Sequence, residues 1–149
     1  LGNSGAKGFQ GAVYDGRYVY YVPYYNGAYF GITAILDTTD NSVTYIDLSL
    51  GNSNARGFRG AVYDGRYVYY VPFYTGVYHG ITAILDTTDN SVAYIDLSLG
   101  NSGAKGFQGA VYDGRYVYYV PFNNGVHHGI TAILTAINKR PNYVSISGL

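Results

Sequence analysis

GAVYDGRYVYYVP occupies residues 11–23 and returns unchanged at 60–72 and 109–121. Its centre, Asp15-Gly16, is a strong hairpin signal, because a two-residue type I′ turn needs positive φ at both central positions and Asp and Gly tolerate that well. The same dipeptide recurs as Asp64-Gly65 and Asp113-Gly114. Gly11 to Tyr14 supply a strand before the turn. The Tyr/Val run from Arg17 to Val22 supplies a second one, since aromatic and β-branched residues suit a pleated surface. Pro23 has no N–H for a ladder and marks the end of that strand.

Outward from the hairpin, Asp15, Asp64 and Asp113 set a period of 49 residues. The chain is therefore a single repeat domain, 1–149, of three units at about 2–50, 51–99 and 100–149. The first two units differ at few places, among them Gly5/Asn54, Lys7/Arg56, Gln10/Arg59 and Phe30/His79. Such near-identity implies recent duplication or deliberate design. Each unit opens on a Gly/Asn/Ser linker and a basic residue. After the hairpin comes a second turn (Tyr25-Asn26-Gly27, Tyr74-Thr75-Gly76, Asn123-Asn124-Gly125), then an apolar strand at 31–36, 80–85 and 129–134. A polar Asp-Thr-Thr-Asp-Asn-Ser turn leads to a fourth strand at 43–48 and 92–97. In the third unit that turn reads Thr-Ala-Ile-Asn-Lys-Arg-Pro. Acid is lost there: Thr135, Asn138 and Ser145 replace Asp37, Asp40 and Asp47, while Lys139 and Arg140 add positive charge. Tyr143, Val144 and Ile146 keep the strand pattern, so a fourth strand is expected in this unit too.

Composition limits the partners. Nine Lys and Arg balance nine acidic residues, so the chain has no net charge and no electrostatic footprint for nucleic acid or an anionic membrane. Neutrality also leaves it less protected against self-association. With no Cys, neither disulfides nor thiolate metal sites support the fold, and no compartment is indicated. Twenty Tyr add wide rings whose hydroxyls need water or a partner.

Because RYVYYVP and GITAIL are apolar or aromatic on both sides of the strand, both faces of each sheet are expected to be covered. Radially stacked four-stranded blades meet that demand. The 49-residue unit, its four strands and the Gly-rich first strand followed by DGRYVYYVP resemble kelch-like β-propeller blades. The near-identity of the copies resembles symmetric designer propellers built from one blade. The resemblance implies an all-β β-propeller with three four-stranded blades per chain. Propellers typically close with about four to eight blades, so it also implies closure by homo-oligomerisation, as a homodimer with six blades or a homotrimer with nine. The alternative fold is a monomeric β-trefoil.

Three features are candidates for chemistry. The residues Asp15, Gly16, Asp64, Gly65, Asp113 and Gly114 read as structural turn positions, and the Asp and neighbouring Arg as surface charge. The second turn varies among copies, and loops on a rigid scaffold are where binding is placed. Its candidate ligand-binding residues are Tyr25, Asn26, Tyr29, Tyr74, Tyr78, His79, Asn123, Asn124, His127 and His128, which could stack on a glycan or hydrogen-bond its hydroxyls. Neighbours in a strand face opposite ways, so His127 and His128 would not chelate one metal; no metal or cofactor is expected. No nucleophile elbow, phosphate loop or metalloprotease motif is present. The expected function is a non-catalytic, self-assembling structural repeat protein, with a lectin-like carbohydrate-binding module, one site per blade, as the alternative.

Overall fold

Each repeat folds into a four-stranded antiparallel meander. The computed structural model describes residues 3–146. The first sheet comprises β1 (Phe9–Tyr14), β2 (Tyr18–Pro23), β3 (Ile32–Asp37) and β4 (Val43–Asp47). The second comprises β5 (Phe58–Tyr63), β6 (Tyr67–Pro72), β7 (Ile81–Asp86) and β8 (Val92–Asp96). A short 3-10 turn, Leu97–Leu99, leads to the third sheet, β9 (Phe107–Tyr112), β10 (Tyr116–Pro121), β11 (Ile130–Thr135) and β12 (Pro141–Ser145). Spatial order follows chain order in every sheet, and strand pairing stays within each unit. Successive first strands lie side by side, β1 against β5 and β5 against β9. This stacking is propeller-like, with the first strand of each unit innermost.

The hairpin is present in all three copies, but its turn is not type I′. Gly16 has φ 106°, whereas Asp15 is not left-handed. Asp15 acts as an acceptor: its Oδ1 takes the backbone N–H of Arg17 (2.9 Å) and of Tyr18 (2.7 Å), and its Oδ2 takes the Tyr20 hydroxyl (2.9 Å). The same pattern surrounds Asp64 and Asp113. The carboxylate's preference for nearby N–H groups stretches the connection to three residues, Asp15 to Arg17, between the ends of the strands.

The first strands are also irregular. In β5, Arg59 and Gly60 lie between the pairs Phe58↔Pro72 and Ala61↔Tyr70, so two residues face the single Val71. The same bulge occurs in β1 and, at Gln108, in β9. Bulges re-aim a side chain, which matters for Arg59 below. Neighbouring inner strands meet closely where they carry glycine: a Cβ on Gly60 would lie 3.6 Å from the Gly109 Cα.

The core forms between blades. Tyr20, Val22, Ile35 and Leu48 of the first blade bury against Phe58, Val68, Tyr70 and Leu85 of the second. Tyr69, Val71, Ile84 and Leu97 of the second bury against Phe107, Val117, Tyr119 and Leu134 of the third. The middle blade is thus covered on both faces, as the apolar strands require. Each junction carries one buried polar pair. Thr33 Oγ1 donates to the Tyr21 carbonyl (2.7 Å), leaving its oxygen to accept from the Tyr70 hydroxyl of the next blade (2.8 Å). Thr82 does the same with the Tyr70 carbonyl (2.8 Å) and the Tyr119 hydroxyl (2.9 Å). At the outer strands, Tyr94 donates to the Leu48 carbonyl and Tyr143 to the Leu97 carbonyl, both at 2.5 Å.

These pairs predict an order of stabilities. Tyr119→Phe removes a donor but leaves Thr82 bonded to Tyr70, at a cost of about 1 kcal/mol. Thr82→Val strands the Tyr119 hydroxyl in a dry layer and is expected to cost about 2–3 kcal/mol. In the double variant the loss is smaller than the sum. Urea unfolding of the four proteins checks it; a Tyr119→Phe loss exceeding that of Thr82→Val contradicts it.

Candidate functional site

The second turns and the linkers meet at one end of the blades, opposite the Asp-Gly hairpins. Tyr25, Tyr74 and Asn123 donate their backbone N–H to the carbonyls of Gly8, Gly57 and Gly106. This approach demands glycine: Gly57 has φ 64°, and a Cβ there would lie 1.8 Å from the Tyr74 carbonyl oxygen. Within each turn, Tyr25 bridges Tyr29, Tyr74 bridges Tyr78 and Asn123 bridges His127. The turn therefore doubles back, which in the first two units brings its two tyrosines together.

The result is a strip of rings across neighbouring blades. Tyr25 and Tyr29 have centroids 4.9 Å apart, Tyr29 and Tyr74 5.3 Å, and Tyr74 and Tyr78 4.7 Å. Closer to the inner strands lies a second row, Tyr24, Phe73 and Phe122, one per blade, with Phe73 and Phe122 stacked at 6.0 Å. Arg59, on the bulge of β5, lies over all three rings, at 5.8 Å from Tyr24, 4.3 Å from Phe73 and 5.5 Å from Phe122. Among the described residues its guanidinium has no carboxylate partner. Stacking holds its N–H donors at a fixed place, and among the described residues they meet no acceptor.

The candidates divide between surface and scaffold. Tyr25 and His127 are exposed and Tyr29, Tyr74 and Tyr78 half-buried, so all five present ring surface. Asn26 and Asn124 are tethers, donating their side-chain N–H to the carbonyls of Gly5 (2.6 Å) and Gly103 (2.9 Å). Asn123 accepts the Gly125 N–H at 2.8 Å. His79 and His128 spend both ring nitrogens inside the fold. His79 Nδ1 accepts the Ile81 N–H (3.3 Å), which leaves Nε2 to donate to the Arg56 carbonyl (2.9 Å). His128 repeats this with Ile130 and Lys105. His127 and His128 do face differently, one outward and one inward. Among the described residues no three His or acidic side chains converge as metal ligands.

The hairpin charges sit at the other end. Arg17 pairs with Asp37 rather than Asp15, through Nε (3.1 Å) and Nη2 (2.6 Å), and Arg66 pairs likewise with Asp86. The Arg17 hydrogen bond, reinforced by Thr39, holds the Asp37 carboxyl well below its ordinary range. Arg17, Arg66 and Arg115 also lie over the Tyr18, Tyr67 and Tyr116 rings at 5.0, 5.0 and 4.9 Å, so where Thr135 replaces the acid Arg115 keeps the ring contact without the ion pair. Arg59, Tyr24, Phe73 and Phe122 were not among the candidates. Their signal in the sequence is slight, the lone Arg59 where the other units have Gln10 and Gln108.

Comparison with family models finds no match, and comparison with curated proteins finds no significant one. The class defined by fold and site is an all-β repeat protein of propeller-like blades with an aromatic collar at the second-turn end.

Burial makes His79 a pH-dependent element. Loss of solvation pushes its pKa down to about 4, against the opposing pull of the Arg56 carbonyl. The unfolded imidazole titrates near pH 6.5, so stability is complete above that value and is lost as pH falls toward 4. Unfolding free energy is expected to drop by about 2 kcal/mol between pH 7 and pH 5 from this group alone. His79→Phe installs the residue that the first unit carries at Phe30 and removes that part of the slope. Denaturation at both pH values, wild type against variant, measures it; equal slopes contradict it.

Proposed function

We propose that the protein is a non-catalytic structural repeat protein whose copies join head to tail into a closed ring of blades. The observation that carries this reading is the contrast between used and unused blade faces. Val22 and Leu48 of the first blade, like Val71 and Leu97 of the second, are 0% exposed at the junctions. Their equivalents on the free face of the third blade, Val120 and Ile146, are 44% and 65% exposed. The opposite free face, on the first blade, carries Phe9, Val19, Tyr21 and Leu36, equivalent to the buried Phe58, Val68, Tyr70 and Leu85. The two free faces are thus the two halves of the junction that the chain already makes twice.

Polar register matches as well. Thr131 Oγ1 donates to the Tyr119 carbonyl at 2.7 Å, as Thr33 and Thr82 do to theirs, and its oxygen is free to accept from Tyr21 of the next copy. Closed cyclic assembly uses both faces and leaves neither to polymerise. The kelch-like resemblance supports the ring, which two or three copies would complete.

Native mass spectrometry tests it. The expected species is two or three times the chain mass of 16.2 kDa. Val120→Asp, which places a charge in the junction, is expected to give monomer, and Tyr21→Phe to weaken assembly about fivefold to tenfold through the lost hydrogen bond. A wild-type monomer at micromolar concentration overturns the proposal.

A second reading, carbohydrate binding at the second-turn end, is supported by the collar: half-exposed rings in a row suit the flat face of a sugar, and the guanidinium of Arg59 suits a sugar carboxylate. Its expected mark is saturable binding to an array of acidic glycans, lost in Tyr29→Ala and Tyr78→Ala and reduced in Arg59→Gln. An array without a saturable ligand rules it out.

A further inference from the structure

Near the hairpin end the two internal junctions differ in the turn between the third and fourth strands and at Thr44, which is Ala93 one repeat later. Between the first and second blades lies an open recess of about 260 Å³, walled by Tyr18, Tyr20, Asp37 and Thr44 on one side and by Thr87 and Asn90 on the other. One repeat later the corresponding walls are Tyr67, Tyr69 and Asp86, with Ala93 in place of Thr44, Ala136 in place of Thr87 and Lys139 in place of Asn90. Both residues hold the same left-handed backbone, Asn90 at φ 62° and Lys139 at φ 56°. Both donate their N–H back across the same turn at 2.7 Å, to Asp86 and Thr135. The longer side chain therefore starts from the same point. Its ammonium lies 4.1 Å from the centroid of Tyr67 and 5.4 Å from that of Tyr69, and it also bonds the Ala136 carbonyl. The second junction thus carries its own cation where the first has a recess.

The tyrosine walls of the recess keep the geometry of the occupied site. Tyr18 and Tyr20 meet edge to face at 6.4 Å, as Tyr67 and Tyr69 do. The Tyr20 hydroxyl is fixed by Asp15, and the Tyr69 hydroxyl by Asp64. Around Lys139 the charged groups are Asp64, Asp86 and Arg66; around the recess their equivalents are Asp15, Asp37 and Arg17. Arg17 is held by Asp37 in a two-point ion pair, so Asp15 remains to balance an incoming cation. Electron-rich ring faces and a nearby carboxylate are the elements that recognise an organic ammonium.

We propose that the recess between the first two blades is a binding site for a primary alkylammonium, the chemistry of a lysine side chain, with Lys139 serving as the built-in occupant of its twin. The ligand's alkyl stem lies against Ile35 and Thr44 and its ammonium against Tyr18 and Tyr20. Affinity is set by a few such contacts, so Kd is on the order of millimolar for a free amine.

Aromatic NMR of tyrosine-labelled protein, titrated with n-butylammonium chloride at constant ionic strength, reads the site directly. Ring signals of Tyr18 and Tyr20 are expected to shift saturably, with n-butanol, the neutral analogue, binding about tenfold more weakly. Asn90→Lys fills the recess from within and abolishes the response. Lys139→Asn vacates the twin and brings Tyr67 and Tyr69 into it. Both exchanges install a residue that the same turn already accommodates in this chain, and thermal melts of each variant verify the fold. A parallel titration with Nα-acetyl-lysine methylamide distinguishes the source. Tighter binding than n-butylammonium identifies a lysine within a polypeptide, and equal binding a free amine. Equal responses to amine and alcohol, or an Asn90→Lys protein that still responds, overturn the proposal.

Discussion

A phenol hydroxyl buried between two sheets must find an acceptor, and where that acceptor lies in the facing sheet the pair fixes how one blade meets the next. Tyr70 and Tyr119 are fully buried, and each finds its acceptor on a threonine of the preceding blade, Thr33 or Thr82. An apolar layer alone tolerates sliding, because dispersion contacts are non-directional and close to equivalent in neighbouring positions. A buried hydrogen bond is not equivalent when displaced, since the unmade bond costs the desolvation of both groups. The Tyr–Thr pair therefore sets register within a layer whose cohesion comes from Val, Leu, Ile and Phe. It also explains the double use of each Thr hydroxyl, donor within its own sheet and acceptor across the gap.

Against this shared framework, three departures from repetition alter a gap or a rim. Arg59 replaces glutamine on a bulge and stacks over one ring from each blade. His79 replaces phenylalanine and uses both ring nitrogens within the linker junction. Lys139 replaces asparagine and crosses to the neighbouring blade. Each change introduces a nitrogen donor or cation beside aromatic rings, which a chain with twenty tyrosines offers at many points. The rigid part of the blade is copied, and the chemistry varies along its margins.

Much of the fold was legible in the residues. Three units, four strands in each and the strand-ending prolines follow from repetition, Tyr/Val content and missing N–H groups. The fourth strand of the last unit forms at Pro141–Ser145 although its turn lost its acids, because Tyr143 still anchors it to the Leu97 carbonyl. The turn at Asp15 was read wrongly, since the side chain competes for N–H groups that a dipeptide rule ignores. Of the candidate site, the tyrosines were legible as exposed loop aromatics. The inward role of Asn26, Asn124, His79 and His128 was not, because their partners are carbonyls of linkers twenty or more positions away. Arg59 was hidden by the bulge, which redirects a side chain that simple alternation assigns to another face.

The meeting of inner strands at Gly60 and Gly109 reaches beyond local packing. At Gly60 and Gly109 the first strands approach with no side chain between them, while elsewhere the sheets are separated by tyrosine, phenylalanine and leucine. Each blade is consequently a wedge, thin at its inner edge and thick in its middle, and the taper fixes the angle between neighbours. In the proposed ring, the number of blades would follow from that gradient of side-chain volume along the radius. A single methyl at position 109 meets nothing within 4 Å and one at position 60 only ordinary contacts, so in the proposed ring it would take a larger side chain there to blunt the wedge and favour a wider circle.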